Sequence, residues 1–189
     1  MQCAGERLRK EIEMKDKTAS KFAYIGAIFF IVSLIVLIST GSLDAFEGSP
    51  PMGVTLFSLF GVIFHLAMLP VIAALPSPSW AKASGFAWVV TENMLVMLSF
   101  SGHESDINLP LRWGVFIALA TWIFGASWAQ SGAFRWVGLL VAIALVGGSF
   151  GGPFAGEAAE KLIVPSGPFL IAWIIMAGAR LAKSDAITQ

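Results

Sequence analysis

The chain has 189 residues, of which 57% are hydrophobic and 13% charged, with 12 basic and 12 acidic side chains. A soluble domain of this length wraps one core in a charged shell, whereas here charge is confined to the ends and to short connections between long apolar runs, the composition of a polytopic membrane protein. Zero net charge and the lack of a basic stripe interleaved with aromatics remove any electrostatic basis for nucleic-acid binding, and the single Cys3 excludes an intramolecular disulfide or a multi-cysteine metal cluster.

Residues 1–20 read as a polar, cytoplasmic N-terminal segment. The first 21 residues mix six Lys or Arg with four acids. Within them ERLRKEIEMKDK alternates sign at helical spacing, which suits either a helix lying on headgroups or a plain solvated extension. The apolar run that follows is too long for a signal-peptide core and has no small-residue cleavage site, so it reads as a retained first span. Met14 opens MKDK just before it, which leaves open whether the preceding residues are a start-site extension.

Crossing the hydrocarbon takes roughly 17 to 25 residues of helix. Six runs qualify, at about 21–39, 52–75, 80–101, 109–130, 133–150 and 166–183, followed by a short tail at 184–189. The breaks between them, GSLDAFEGSPP, PSPS, GHESDINLP, QSG and GGPFAGEAAEKLIVPSGP, concentrate Gly, Pro, Ser and acids. The expected architecture is therefore an all-α, six-transmembrane-helix bundle. With the N-terminus inside, ten positive charges fall on the inner side and only Arg112 and Lys161 on the outer, so both termini are predicted to be cytoplasmic. Trp80, Trp113, Trp128 and Trp136 lie near span ends and read as interfacial anchors. Arg112, Arg135 and Arg180 read as snorkelling to headgroups. Gly147, Gly148, Gly151 and Gly152 suit close helix approach or a frayed end in span five.

Glu92 in VVTENMLVML and His65 in GVIFHLAMLP are the ionisable groups expected near the bilayer centre. A carboxylate there costs about 2.5 to 3.5 kcal/mol on insertion scales, so it is expected to face the protein and find a partner. Counting outward from the PSPS turn puts the two side chains within about 3 Å of each other in depth. Ser58, Gly61 and His65 share one stripe of span two, and Trp88, Glu92, Leu95 and Ser99 share one of span three. If the stripes face each other, Gly61 is expected to make room for the pair. Asn93 and Thr91 point to other faces but could hydrogen-bond a neighbouring helix. A proton or ligand pocket of His65, Glu92, Ser58, Asn93 and Trp88 is one reading; a hydrogen bond that only specifies packing, on the order of 1 kcal/mol, is the other.

No HExxH, GxSxG, phosphate-binding glycine loop or paired intramembrane aspartate is present, so no catalytic residue is assigned. No cofactor is required. A haem or chlorophyll-type pigment on His65, with Met68, Met94 or Met97 nearby, stays open. His103 lies about 16 Å beyond the Glu92 level, too far for one haem to use both histidines. In the outer loop His103, Glu104 and Asp106 gather nitrogen and oxygen donors without a recognised metal-ligand spacing.

The last third, TWIFGASWAQSGAFRWVGLLVAIALVGG followed by PSGPFLIAWIIMAGARLAK, resembles a family of small bacterial six-span proteins known as a domain of unknown function. The matching residues are Ser131, Gly132, Phe134, Arg135, Trp136, Gly138, Trp173 and Gly178, with Phe134 where that family usually has Pro. The resemblance implies a six-helix fold and a bacterial inner membrane, and transfers no site residue. Three functions follow as expectations. The first is a non-enzymatic protein using the His65 and Glu92 pocket for ligand binding, sensing or proton-coupled transport. The second is an accessory subunit of a respiratory or photosynthetic complex, in contact with partner membrane subunits or with further copies of itself. The third is a lipid-modifying enzyme with Glu92 as acid or base.

Overall fold

The computed structural model describes residues 2–39, 52–100, 108–155 and 166–183. Over these residues the protein is all-helical, with α1 Gln2–Ser39, α2 Met52–Ala74, α3 Ser79–Phe100, α4 Asn108–Trp128, α5 Ala133–Ala155 and α6 Ser166–Lys183. Stretches within α1, α2, α4 and α5 are long and apolar enough to cross a membrane. α3 is more polar because it carries Lys82, Glu92 and Asn93, and α6 because it ends in Arg180 and Lys183. α1 runs unbroken from Gln2, so the mixed-charge segment is helical and continuous with the first apolar run. Its length of about 57 Å far exceeds the ~30 Å hydrocarbon core.

Local chemistry sets the turns. α2 tolerates the single Pro70, but Pro76 and Pro78 two residues apart lack two N–H donors and restrict the residues before them, so it stops at PSPS. The Lys82 Nζ of α3 then donates to the freed Ala73 carbonyl at 2.8 Å. Gly132 at φ 69° makes the left-handed step between α4 and α5, a conformation that a Cβ would disfavour.

Each helix packs on its neighbours in the chain, and α6 closes the ring on α1. The pairings run antiparallel: Gly26 meets Met68 while Ser33 bonds the Phe57 carbonyl, and Ser84 bonds the Ala118 carbonyl while Ala81 meets Gly125. The closure uses small residues. Ala19, Ala23 and Ala27 form a stripe on α1 at spacing four, Gly178 of α6 lies against Ala23, and Ser20 donates to the Gly178 carbonyl at 2.8 Å. The PSPS and QSG turns, Lys21, Lys82, Arg135, Arg180 and Lys183 gather at one end, called here the basic end. The α2–α3 seam is among the thinnest in the ring. It leaves an open groove of about 770 Å³ lined by Val62, Leu66, Leu69, Val90, Asn93 and Met97 among others.

An aromatic chain links all six helices through the core. Phe30 (α1) stacks on Phe64 (α2) at 4.8 Å, Phe64 meets Trp88 (α3) edge-on at 5.8 Å, and Trp88 stacks on Trp122 (α4) at 6.0 Å. Trp122 then meets Trp173 (α6) edge-on at 5.2 Å, and Trp173 stacks on Phe134 (α5) at 5.3 Å. These offset and edge-on arrangements are the favoured ones for aromatic quadrupoles. Trp80, Trp128 and Trp136 are exposed, as interfacial anchors would be. Trp113, expected with them, is instead buried and edge-on to Phe116, because its helical phase puts it on the buried stripe with Ala120 and Ser127. α5 continues through Gly147, Gly148, Gly151 and Gly152 to Ala155, so that glycine-rich end is helical rather than frayed.

Candidate functional site

α3 presents one buried stripe, Ala81, Gly85, Trp88, Glu92 and Leu95, at steps of three and four. Glu92 is 6% exposed on it. Trp88, one turn nearer the basic end, is pinned by Phe64 and Trp122. The His65 ring of α2 meets Trp88 edge-on at 5.2 Å. That contact sets His65 one helical turn below Glu92 rather than directly opposite it, and no hydrogen bond or ion pair joins the two. His65 Nδ1 is buried with no hydrogen-bond partner, a state worth about 1 to 3 kcal/mol of desolvation cost.

The third member is Arg112. Its guanidinium is the charge that acts electrostatically on both His65 and Glu92. Arg112 sits four residues into α4 and Glu92 eight residues before the end of α3. The depth difference is about 6 Å, within reach of an extended arginine pointing inward. The sequence reads Arg112 as a headgroup contact; the structure leaves it half-buried and close enough for its charge to act on both groups. The hairpin count that linked His65 to Glu92 could have found it across the next turn.

The remaining sequence-expected residues separate. Ser58 is buried on α2, two turns from His65 toward the end opposite the basic one. Asn93 faces the α2–α3 groove, where its Nδ2 donates to the Val89 carbonyl of its own helix at 2.7 Å and its Oδ1 is buried without a partner. Gly61 makes no notch, since a Cβ built there meets nothing within 4 Å. Gly61→Ala is therefore expected to stabilise the protein by about 0.5 to 1 kcal/mol through helix propensity. A lower unfolding temperature in detergent would mean that Gly61 is packed after all.

Met68 is buried against Gly26, while Met94 and Met97 line the exposed groove, so the methionines considered as companions of His65 face different surroundings. Among the described residues no three His, Cys, Asp or Glu side chains gather as a metal site. His103, Glu104 and Asp106 lie outside the described residues. Arg180 does not snorkel freely: it donates to Gln130 Oε1 at 2.5 Å and to the Ser131 carbonyl at 2.6 Å, fastening α6 to the α4–α5 turn. Comparison with protein-family models, curated proteins and solved structures finds no match.

Proposed function

We propose that the protein is a six-span membrane protein with both termini on the cytoplasmic side of a bacterial inner membrane, and that His65, Glu92 and Arg112 form a proton-coupled site for binding, sensing or transport. The observation that carries this reading is the burial of Glu92 beside an imidazole whose Nδ1 has no partner, under the charge of a third helix. Intramembrane ionisable groups in such settings mark proton and ligand pathways. Glu92 and His65 supply two proton-accepting atoms one turn apart, and Arg112 supplies a fixed positive charge that senses which of them is protonated. The thin α2–α3 seam is where a change in that balance could be accommodated.

The test uses the full chain in liposomes loaded with a pH-sensitive dye, under an imposed potential. Proton uptake is expected to fall by about a hundredfold in Glu92→Gln, as for loss of a positioned proton-transfer group, and His65→Phe is expected to impair it as well. Uptake no faster than in empty liposomes, or equal in wild type and both folded variants, would end the reading. A second reading, an accessory subunit, is favoured by the apolar α2–α3 groove. It requires a partner chain to copurify in mild detergent, and a lone monodisperse species would count against it.

A further inference from the structure

Two guanidinium groups, Arg135 of α5 and Arg180 of α6, lie by the α4–α5 turn at the basic end, and neither has an acidic partner among the described residues. Arg180 is held by the neutral acceptors Gln130 and Ser131, with its guanidinium carbon 5.0 Å from the Phe134 ring centre. Arg135 is held differently. Its guanidinium lies 4.7 Å over the Trp128 ring and 5.9 Å from that of Trp136, it makes no hydrogen bond to the described residues, and its Nε is buried without an acceptor.

Stacking on an indole uses the face of a guanidinium and leaves its in-plane N–H fork free. That fork matches the paired oxygens of a phosphate group, and the two rings fix its orientation before any ligand arrives. The surroundings select the kind of phosphate. Trp136, Leu140 and Ile143 follow one another at spacings of four and three along the exposed face of α5, and Phe124 stacks on the exposed Trp128 at 5.4 Å on α4. A cation therefore sits at the head of an apolar strip about 10 Å long. A free phosphate would use the cation alone, whereas a phospholipid uses both.

We propose that Arg135, clamped by Trp128 and Trp136, is a binding site for the phosphodiester headgroup of an anionic phospholipid, with an acyl chain lying along Trp136, Leu140 and Ile143. Arg180 adds positive potential while one N–H of each terminal nitrogen is held within the turn by Gln130 and Ser131. The positive charge of Arg135, Arg180 and Lys183 favours a net-anionic lipid over a zwitterionic one, because a choline ammonium would be repelled.

The test is native mass spectrometry of the full chain in detergent with equimolar phosphatidylglycerol and phosphatidylcholine. Wild type is expected to retain phosphatidylglycerol about tenfold better, the worth of one charge-assisted hydrogen-bonded pair. Arg135→Gln is expected to abolish the preference. Arg135→Lys keeps the charge but loses the stacked fork, and is expected to lose most of it. Lys82→Gln, at the same end but bonded to Ala73, is expected to leave the preference intact. Should Arg135→Gln fail to fold, Trp136→Leu on the exposed surface must lower retention at an unchanged unfolding temperature. Equal preference in wild type and Arg135→Gln overturns the site as non-specific lipid coating. Displacement of the lipid by millimolar inorganic phosphate alone overturns the lipid assignment in favour of free phosphate.

Discussion

Gly138→Ala is expected to destabilise the bundle by about 3 kcal/mol, at the upper end of overpacking costs, although it adds a single methyl group. A Cβ at Gly138 would fall inside the contact distance of Ser127 Oγ and lie 2.5 Å from Trp173 Nε1. Those two atoms form the buried hydrogen bond that joins α6 to α4 at 2.9 Å. Neither can yield without breaking that bond and moving Trp173, which is also stacked on Phe134. The measurement is the unfolding temperature in detergent, with Gly61→Ala as the matched helical control. Pairing the change with Ser127→Gly removes the obstructing atoms but also the acceptor of Trp173, so only part of the loss should return. A Gly138→Ala protein as stable as wild type would mean that α4 and α5 do not approach this closely.

Trp122→Ala is expected to cost about 3 to 5 kcal/mol, the range for removing a buried aromatic side chain. Trp122 is fully buried, stacks on Trp88, meets Trp173 edge-on, and lies so flat on α3 that a Cβ at Gly85 would come within 2.8 Å of its Cγ. Its Nε1 has no hydrogen-bond partner. Trp122→Phe should therefore cost much less, because it keeps an aromatic ring while relieving a buried, unpaired donor. Thermal unfolding of the two variants side by side is the check, and equal losses would show that the indole N–H contributes favourably. Because Trp88 also braces His65, Trp122→Ala is further expected to impair proton uptake without touching an ionisable group.

The helix positions were legible in the sequence. The observed helices α2, α3 and α6 match the expected runs to within a residue at each end, and PSPS and QSG are turns as their Pro and Gly content requires. The site was legible only in part. Glu92 stands out because a carboxylate in an apolar run is costly, and its stripe with Trp88 and Leu95 follows from helical spacing. The electrostatic influence of Arg112 on the pair was not visible, since an arginine near a span end has the same sequence signature whether its charge faces headgroups or neighbouring helices. Gly61 and Gly138 look equivalent in the chain, yet one faces open space and the other lies against Ser127 and Trp173.

The sequence by itself determined that the described chain is helical, where the turns between helices fall, and which end is basic. These are one-dimensional properties: an apolar run must satisfy its own backbone by helix formation, and Pro, Gly and charge end it wherever they occur. Only the tertiary structure decided which face of each helix meets a neighbour, that α6 closes on α1, that six aromatic side chains join into one chain, and that the charge of Arg112 acts on both His65 and Glu92. The physical reason is that these helices are apolar on most sides, so no amphipathic period marks the inward face. The choice falls to shape, to small residues such as Ala23 and Gly138, and to the few polar atoms that must find one another.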